Sequence, residues 1–125
     1  MVIVLPFETP SKKNSREVDR RTGRSFPSKV YTAWHKSAAA YVRQNYPAEA
    51  LGSGPFRIEM SFWHPTFRKC DADNKVSSIL DLLVDLGIID DDNWQVVAQL
   101  RVANYYAKNK PCAEIKIFPL TECEE

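Results

Sequence analysis

Between Asp71 and Asp92 the chain reads DADNKVSSILDLLVDLGIIDDD. Two aspartates stand one residue apart, a stretch with helical spacing follows, and three consecutive aspartates close it. Val76, Ile79, Leu80, Leu83 and Leu86 recur every three or four residues. They predict an amphipathic helix over about residues 74–86, with Asp73 or Asn74 as N-cap and Gly87 in the left-handed position after its end. The acidic groups therefore fall at the two ends of one helix. Carboxylates brought together repel one another unless a cation or proton neutralises them. Hard divalent cations such as Mg²⁺ take a few such oxygens and leave other positions to water and phosphate. The segment reads as a metal site in an enzyme that acts on phosphodiesters.

Geometry limits that reading. In an extended segment residues i and i+2 point to one side, so Asp71 and Asp73 can face one cation. Helix capping explains one of them and leaves the other over. The helix is about 20 Å long at ~1.5 Å per residue, so Asp92 meets Asp71 only if the chain doubles back. An antiparallel neighbouring strand would not do this directly, and a parallel one, joined by a right-handed crossover, would start at the wrong end. Spacing alone leaves the convergence open, and a solvated turn is the alternative for residues 90–92. Asp81 and Asp85, an i,i+4 pair off the apolar stripe, read as a solvent face.

The remaining elements are short. Val2–Leu5 is a β-branched run stopped by Pro6. Residues 9–28 form a basic loop, in which Lys12, Lys13, Arg16, Arg20, Arg21, Arg24 and the adjoining Lys29 stand against only Glu17 and Asp19. Ser28 caps a first helix with the stripe Val30, Trp34, Ala38, Tyr41, Val42 and Asn45, which Pro47 ends. Phe56, Ile58, Met60 and Phe62 alternate with polar residues in a half-buried strand. Residues 96–102 and 113–117 alternate likewise, and residues 120–125 read as a frayed tail. The order strand, helix, strand, helix, strand, strand implies an α+β single domain, a small mixed sheet with two main helices mainly on one face.

Composition narrows the setting. A chain of 125 residues with 44% hydrophobic content can bury one core. Its 17 basic and 16 acidic side chains are segregated, which suits a polyanion-binding surface beside a metal-binding one. Cys70, Cys112 and Cys123 are odd in number, without CxxC spacing, and fit a reducing cytoplasm. The sequence shows no signal-like leader and no run of roughly 20 apolar residues, so no membrane partner is expected. Trp34 reads as core. Trp63 and Trp94 fall near strand ends, where packing and stacking on unpaired bases are both open. His35 and His64 are unsupported as ligands, since Mg²⁺ prefers oxygen.

DADN, a helix containing ILDLL, and GIIDDDNWQVV together resemble the RusA family of Holliday-junction resolvases, common in phages and prophages. PSKKNSR, RTGR and SKVYTAWHKSA are similar to that family's opening, and the resemblance covers nearly the whole chain. It implies a homodimeric, Mg²⁺-dependent (Mn²⁺-compatible) endonuclease that cuts four-way DNA junctions in recombination and repair, in the cytoplasm of a bacterial or phage-infected cell. It also implies that Asp71, Asp73 and Asp92 are the metal-binding catalytic carboxylates. The family pattern DxDNxxK places a lysine where this chain has Ser77; Lys75 is the nearest and is assigned the catalytic role. Arg68, Lys69 and the basic residues from Lys12 to Lys29 are the expected DNA contacts. Ser77 keeps an alternative open, a junction-binding protein with weak or lost cleavage. A nuclease for other branched DNA is a further one.

Overall fold

The computed structural model describes residues 1–11, 16–47 and 49–121, with backbone alone for Arg16, Glu17 and Pro27. Lys12, Lys13 and the end of the tail from residue 122 lie outside the described residues. The elements run β1 (Val2–Leu5), β2 (Arg16–Val18), β3 (Ser25–Pro27), α1 (Lys29–Asn45), β4 (Phe56–His64), α2 (Val76–Asp85), β5 (Val97–Tyr106) and β6 (Cys112–Pro119). Four strands form one mixed sheet in the order β1-β6-β4-β5, while β2 and β3 pair separately. This is the expected α+β arrangement.

Alternation decides which face is covered. Ile58 pairs with Ile117 and Met60 with Ile115 across β4 and β6, and Ile3 pairs with Ile115 across β1 and β6. These side chains are buried in one core with Tyr31, Trp34, Ala38 and Val42 of α1 and Ile79, Leu82 and Leu83 of α2. Burying each large aliphatic stabilises by about 1.5–3 kcal/mol. Arg57, Glu59 and Lys116 lie on the opposite face, where Arg57 and Glu59 pair at 3.1 Å.

Local chemistry sets the helix ends. Ser28 Oγ accepts the Tyr31 N–H at 3.2 Å, as its N-cap position requires. Gly87 closes α2 with φ of 72°, which a Cβ would disfavour. Two stripes are displaced from expectation: Tyr31 replaces Val30 on the buried face of α1, where Val30 is 68% exposed, and Leu82 joins the stripe of α2.

Three further features fill in what spacing left open. The basic segment is not a plain loop: Arg16–Val18 and Ser25–Pro27 pair antiparallel. Asp19 closes the turn between them by accepting the Gly23 N–H at 2.8 Å. The tail is held as far as Leu120, whose N–H donates to the Pro55 carbonyl at 2.8 Å. Most consequentially, β5 pairs with β4 in parallel, from Phe56–Val97 to His64–Tyr106. A register shift at Phe56/Arg57 slips Ala98 past its partner, and on this edge strand Leu100 stays 44% exposed.

Candidate active site

The DADN turn lies at the C-terminal end of the parallel β4–β5 pair. The Asp71 carbonyl accepts the Asn74 N–H at 3.0 Å and the Asp73 carbonyl accepts the Val76 N–H at 3.1 Å. The segment is therefore a turn, not the extended run from which the shared direction of Asp71 and Asp73 was argued. Neither Asp73 nor Asn74 caps α2. The N-cap position falls on Lys75, whose ammonium has no acceptor to offer and makes no capping bond.

The turn is pinned from β5. Asn104 Nδ2 donates to the carbonyl of Ala72, between the two aspartates, at 2.9 Å. The amide oxygen of Asn104 then faces His64 Nε2 at 2.7 Å, which places the imidazole proton on Nε2. Both strand ends thus position the residue that separates Asp71 from Asp73. Sequence reasoning missed Asn104, whose only signal is a short polar side chain near the end of an otherwise strand-forming run.

Asp71 and Asp73 are exposed, and their carboxylates have no hydrogen-bond or ion-pair partner among the described residues. Two oxygen-donor groups without competing donors suit a hard cation. The aspartate triplet lies elsewhere. Asp90 accepts the Ser53 hydroxyl, and its N–H donates to the Gly52 carbonyl at 3.0 Å. Asp91 accepts the Asp92 N–H at 2.7 Å and Asn93 Nδ2 at 3.0 Å. Those bonds, the Asp92 amide first, hold its carboxyl below the usual range. All three aspartates are exposed; the Asp92 carboxylate lies against that of Asp91.

Parallel pairing separates this triplet from the DADN turn. Val96 and Val97 follow it immediately at the start of β5, against Phe56, whereas Asp71 follows the end of β4. The nine residues of β4 span about 25–30 Å at ~3.3 Å each. Among the described residues, Asp71, Asp73 and Asp92 do not form a three-ligand group.

Lys75 is 7% exposed. Its ammonium lies 3.7 Å from Glu8 Oε1, on a cavity of about 280 Å³ that Thr9, Ser11, Arg68 and Asn74 also line. Burial lowers its pKa, and Glu8 opposes that shift. Ser77, in the position of the lysine that the resemblance calls for, is exposed. Arg20, Arg21 and Arg24 on the β2–β3 turn, Lys29 at the start of α1, and Arg68 and Lys69 before Asp71 are all exposed. The side chains of Lys12, Lys13 and Arg16 lie outside the described residues.

Asp85 is exposed, as the solvent-face reading of its spacing expects, and Asp81 is half-buried, yet both carboxylates also meet α1. The Tyr31 hydroxyl donates to Asp81, and His35 Nε2 lies 2.8 Å from Asp85 Oδ2. Burial first, then the Asp81 bond, raises the Tyr31 pKa. Donor atoms of His35, Asp81 and Asp85 lie within 4.8 Å of one another, a spacing that a metal ion could bridge. They join α1 to α2.

Carboxylates on a pinned turn, flanked by exposed cations and set beside a mixed sheet, define a class of protein that handles phosphodiesters. A family model described as Endodeoxyribonuclease RusA matches residues 6–118. The chain belongs to the RusA family and is a nuclease, a hydrolase of phosphodiester bonds. It is also similar to the crossover junction endodeoxyribonuclease RusA of Aquifex aeolicus (strain VF5). The two are 26% identical over 110 residues, covering 88% of this chain and 85% of that one.

Proposed function

We propose that the protein resolves four-way DNA junctions by paired nicks, as a homodimer whose two active sites each join Asp71 and Asp73 of one copy to Asp92 of the other. The observation that carries the shared site is the parallel β4–β5 pairing, which leaves Asp71 and Asp73 beyond one end of that strand pair and Asp92 before the other. Two copies packed antiparallel about a two-fold axis bring the ends together twice. A two-fold dimer with two sites matches the symmetry of a junction and cuts both strands. The reaction is supported by the family match and by the relative named for crossover junctions.

Bound Mg²⁺, or Mn²⁺ in its place, supplies Lewis-acid activation of water and charge stabilisation at the departing oxygen. The chain's residues do the rest. Asp71, Asp73 and Asp92 would hold the cation; His64 and Asn104 keep the DADN turn in place. Lys75 presents its ammonium to a phosphate oxygen that enters beside Glu8 and offsets charge gathering on the phosphoryl group. The 3′ oxygen departs and the phosphate stays on the 5′ end. Lys12, Lys13, Arg16, Arg20, Arg21, Arg24, Lys29, Arg68 and Lys69 contact flanking phosphates, which positions DNA without reading its sequence.

Subunit mixing tests the proposal. Asp73→Asn and Asp92→Asn are each expected to abolish Mg²⁺-dependent nicking of a synthetic four-way junction. A dimer of one copy of each retains one site with all three carboxylates, so the mixture recovers nicking of one strand. A mixture as inactive as its parents, after confirmed subunit exchange, sinks the shared site.

A further inference from the structure

The same end of the sheet carries aromatic surface for which the hydrolysis has no use. Phe67, on the segment that leads from β4 to the DADN turn, is 82% exposed. Its ring lies 4.1 Å from that of Tyr106 with 25° between the planes. Tyr105, the preceding residue on β5, stacks on Trp63 at 5.1 Å and 22°. Consecutive strand residues face opposite sides, so the two stacks flank one strand end. The Phe67–Tyr106 pair shares a cavity of about 370 Å³ with Arg68, Lys69 and Asp71. That lies within the ~300–1,000 Å³ typical of small-ligand sites.

Phe67 has no polar group to satisfy and gains little by packing where it is. A flat apolar ring beside two cations, next to the DADN turn, is complementary to one kind of occupant, a planar base carried on an anionic backbone. Bases inside a continuous duplex are stacked on one another and cannot lie on the ring. A base at a branch point can.

We propose that the Phe67–Tyr106 stack receives a DNA base unstacked at the branch point, while Arg68 and Lys69 hold the adjoining phosphates. The ring thereby favours branched DNA over continuous duplex at this site. The proposal rests on the reading of the protein as a nuclease of branched DNA.

The test compares affinities of the full chain for a four-way junction and for a linear duplex of the same arm sequence, in an Asp73→Asn background that prevents cutting. Phe67→Ala is expected to weaken junction binding about ten-fold and to leave duplex binding within about two-fold. Phe67→Trp, which keeps a flat ring, retains the preference. Phe67→Leu, apolar without a ring face, behaves as alanine does. Tyr106→Ala reproduces the loss, and unchanged melting temperatures exclude unfolding as its cause. Equal losses on junction and duplex, no loss at all, or full rescue by leucine overturns the stacking role. Nicking of junctions by the wild-type chain is scored separately. Wild-type nicking with an unchanged Phe67→Ala preference refutes the stack alone, whereas a wild-type chain without preference for junctions refutes both readings.

Discussion

Two pairs of aspartates on or beside α2 stand in opposite conditions. Asp81 and Asp85 are taken up by Tyr31 and His35 and fasten one helix to another. Asp71 and Asp73 lie on a turn held through backbone carbonyls and by Asn104, so their carboxylates need no partner in the fold. A carboxylate that serves stability meets a donor within its own chain. One left without a donor, on a backbone that other residues fix, is set out for something external. In the sequence both pairs are acidic and near one helix, and spacing alone does not show which finds a donor.

Removing a single charge from the exposed pair tests that contrast most severely. Asp73→Asn keeps the side chain's shape. It is expected to lower Mg²⁺-dependent junction nicking at least about 10³-fold, roughly 4 kcal/mol of barrier. Its melting temperature is expected to hold or rise, since repulsion with Asp71 is relieved. Wild-type nicking by this variant, measured in single turnover, would remove Asp73 from the site.

Loosening the turn has a smaller effect. Asn104→Ala frees the Ala72 carbonyl and the His64 imidazole. Nicking is expected to fall about 10- to 100-fold, as for other residues that orient metal ligands, with the three carboxylates intact. An unchanged rate would mean that the turn holds itself.

The partnered pair should respond in stability instead. Asp81→Ala leaves the Tyr31 hydroxyl, on a residue 4% exposed, without its carboxylate acceptor. About 1–3 kcal/mol of stability is expected to go, several degrees in a thermal melt. Nicking measured well below that melt should stay within about two-fold. A variant that melts normally but fails to nick would instead place the His35–Asp81–Asp85 group in the chemistry.

Lys75 is expected to show the smallest change, and in the opposite direction. Its pKa is lowered chiefly by burial, so the unfolded chain keeps a proton that the folded chain releases earlier. Stability then rises with pH between the lowered folded value and the ordinary 10.5. Lys75→Met should remove that rise and stabilise the fold at neutral pH by about 1 kcal/mol, since Glu8 is half-exposed and can hydrate. Nicking should fall as the ammonium is lost. A variant that nicks normally would show that no lysine is needed here.

Much of this was legible in residues 71–92 and in the alternating strands. Ser28 and Gly87 mark helix ends by chemistry confined to one turn of chain, and β4 and β6 show their faces by simple alternation. Three-residue strands carry too few side chains to display a period, so β2 and β3 were hidden in the basic segment. The Val30-for-Tyr31 error has a similar origin: neighbours on a helix differ by only about 100°, and both are apolar enough to face inward.

By itself the sequence determined two amphipathic helices and a half-covered sheet, and it supplied the carboxylates proposed for the site. Each of those depends on groups a few bonds apart, whose spacing the covalent chain imposes. Tertiary structure decided what residue spacing cannot express. It set the direction of β5 against β4, and hence the distance between Asp92 and Asp71. It brought Asn104 to the Ala72 carbonyl and His35 to Asp81 and Asp85. It left Phe67 lying open on Tyr106. Strand direction is a pairing between residues some forty positions apart, chosen by the burial of whole faces together, and no local preference encodes it.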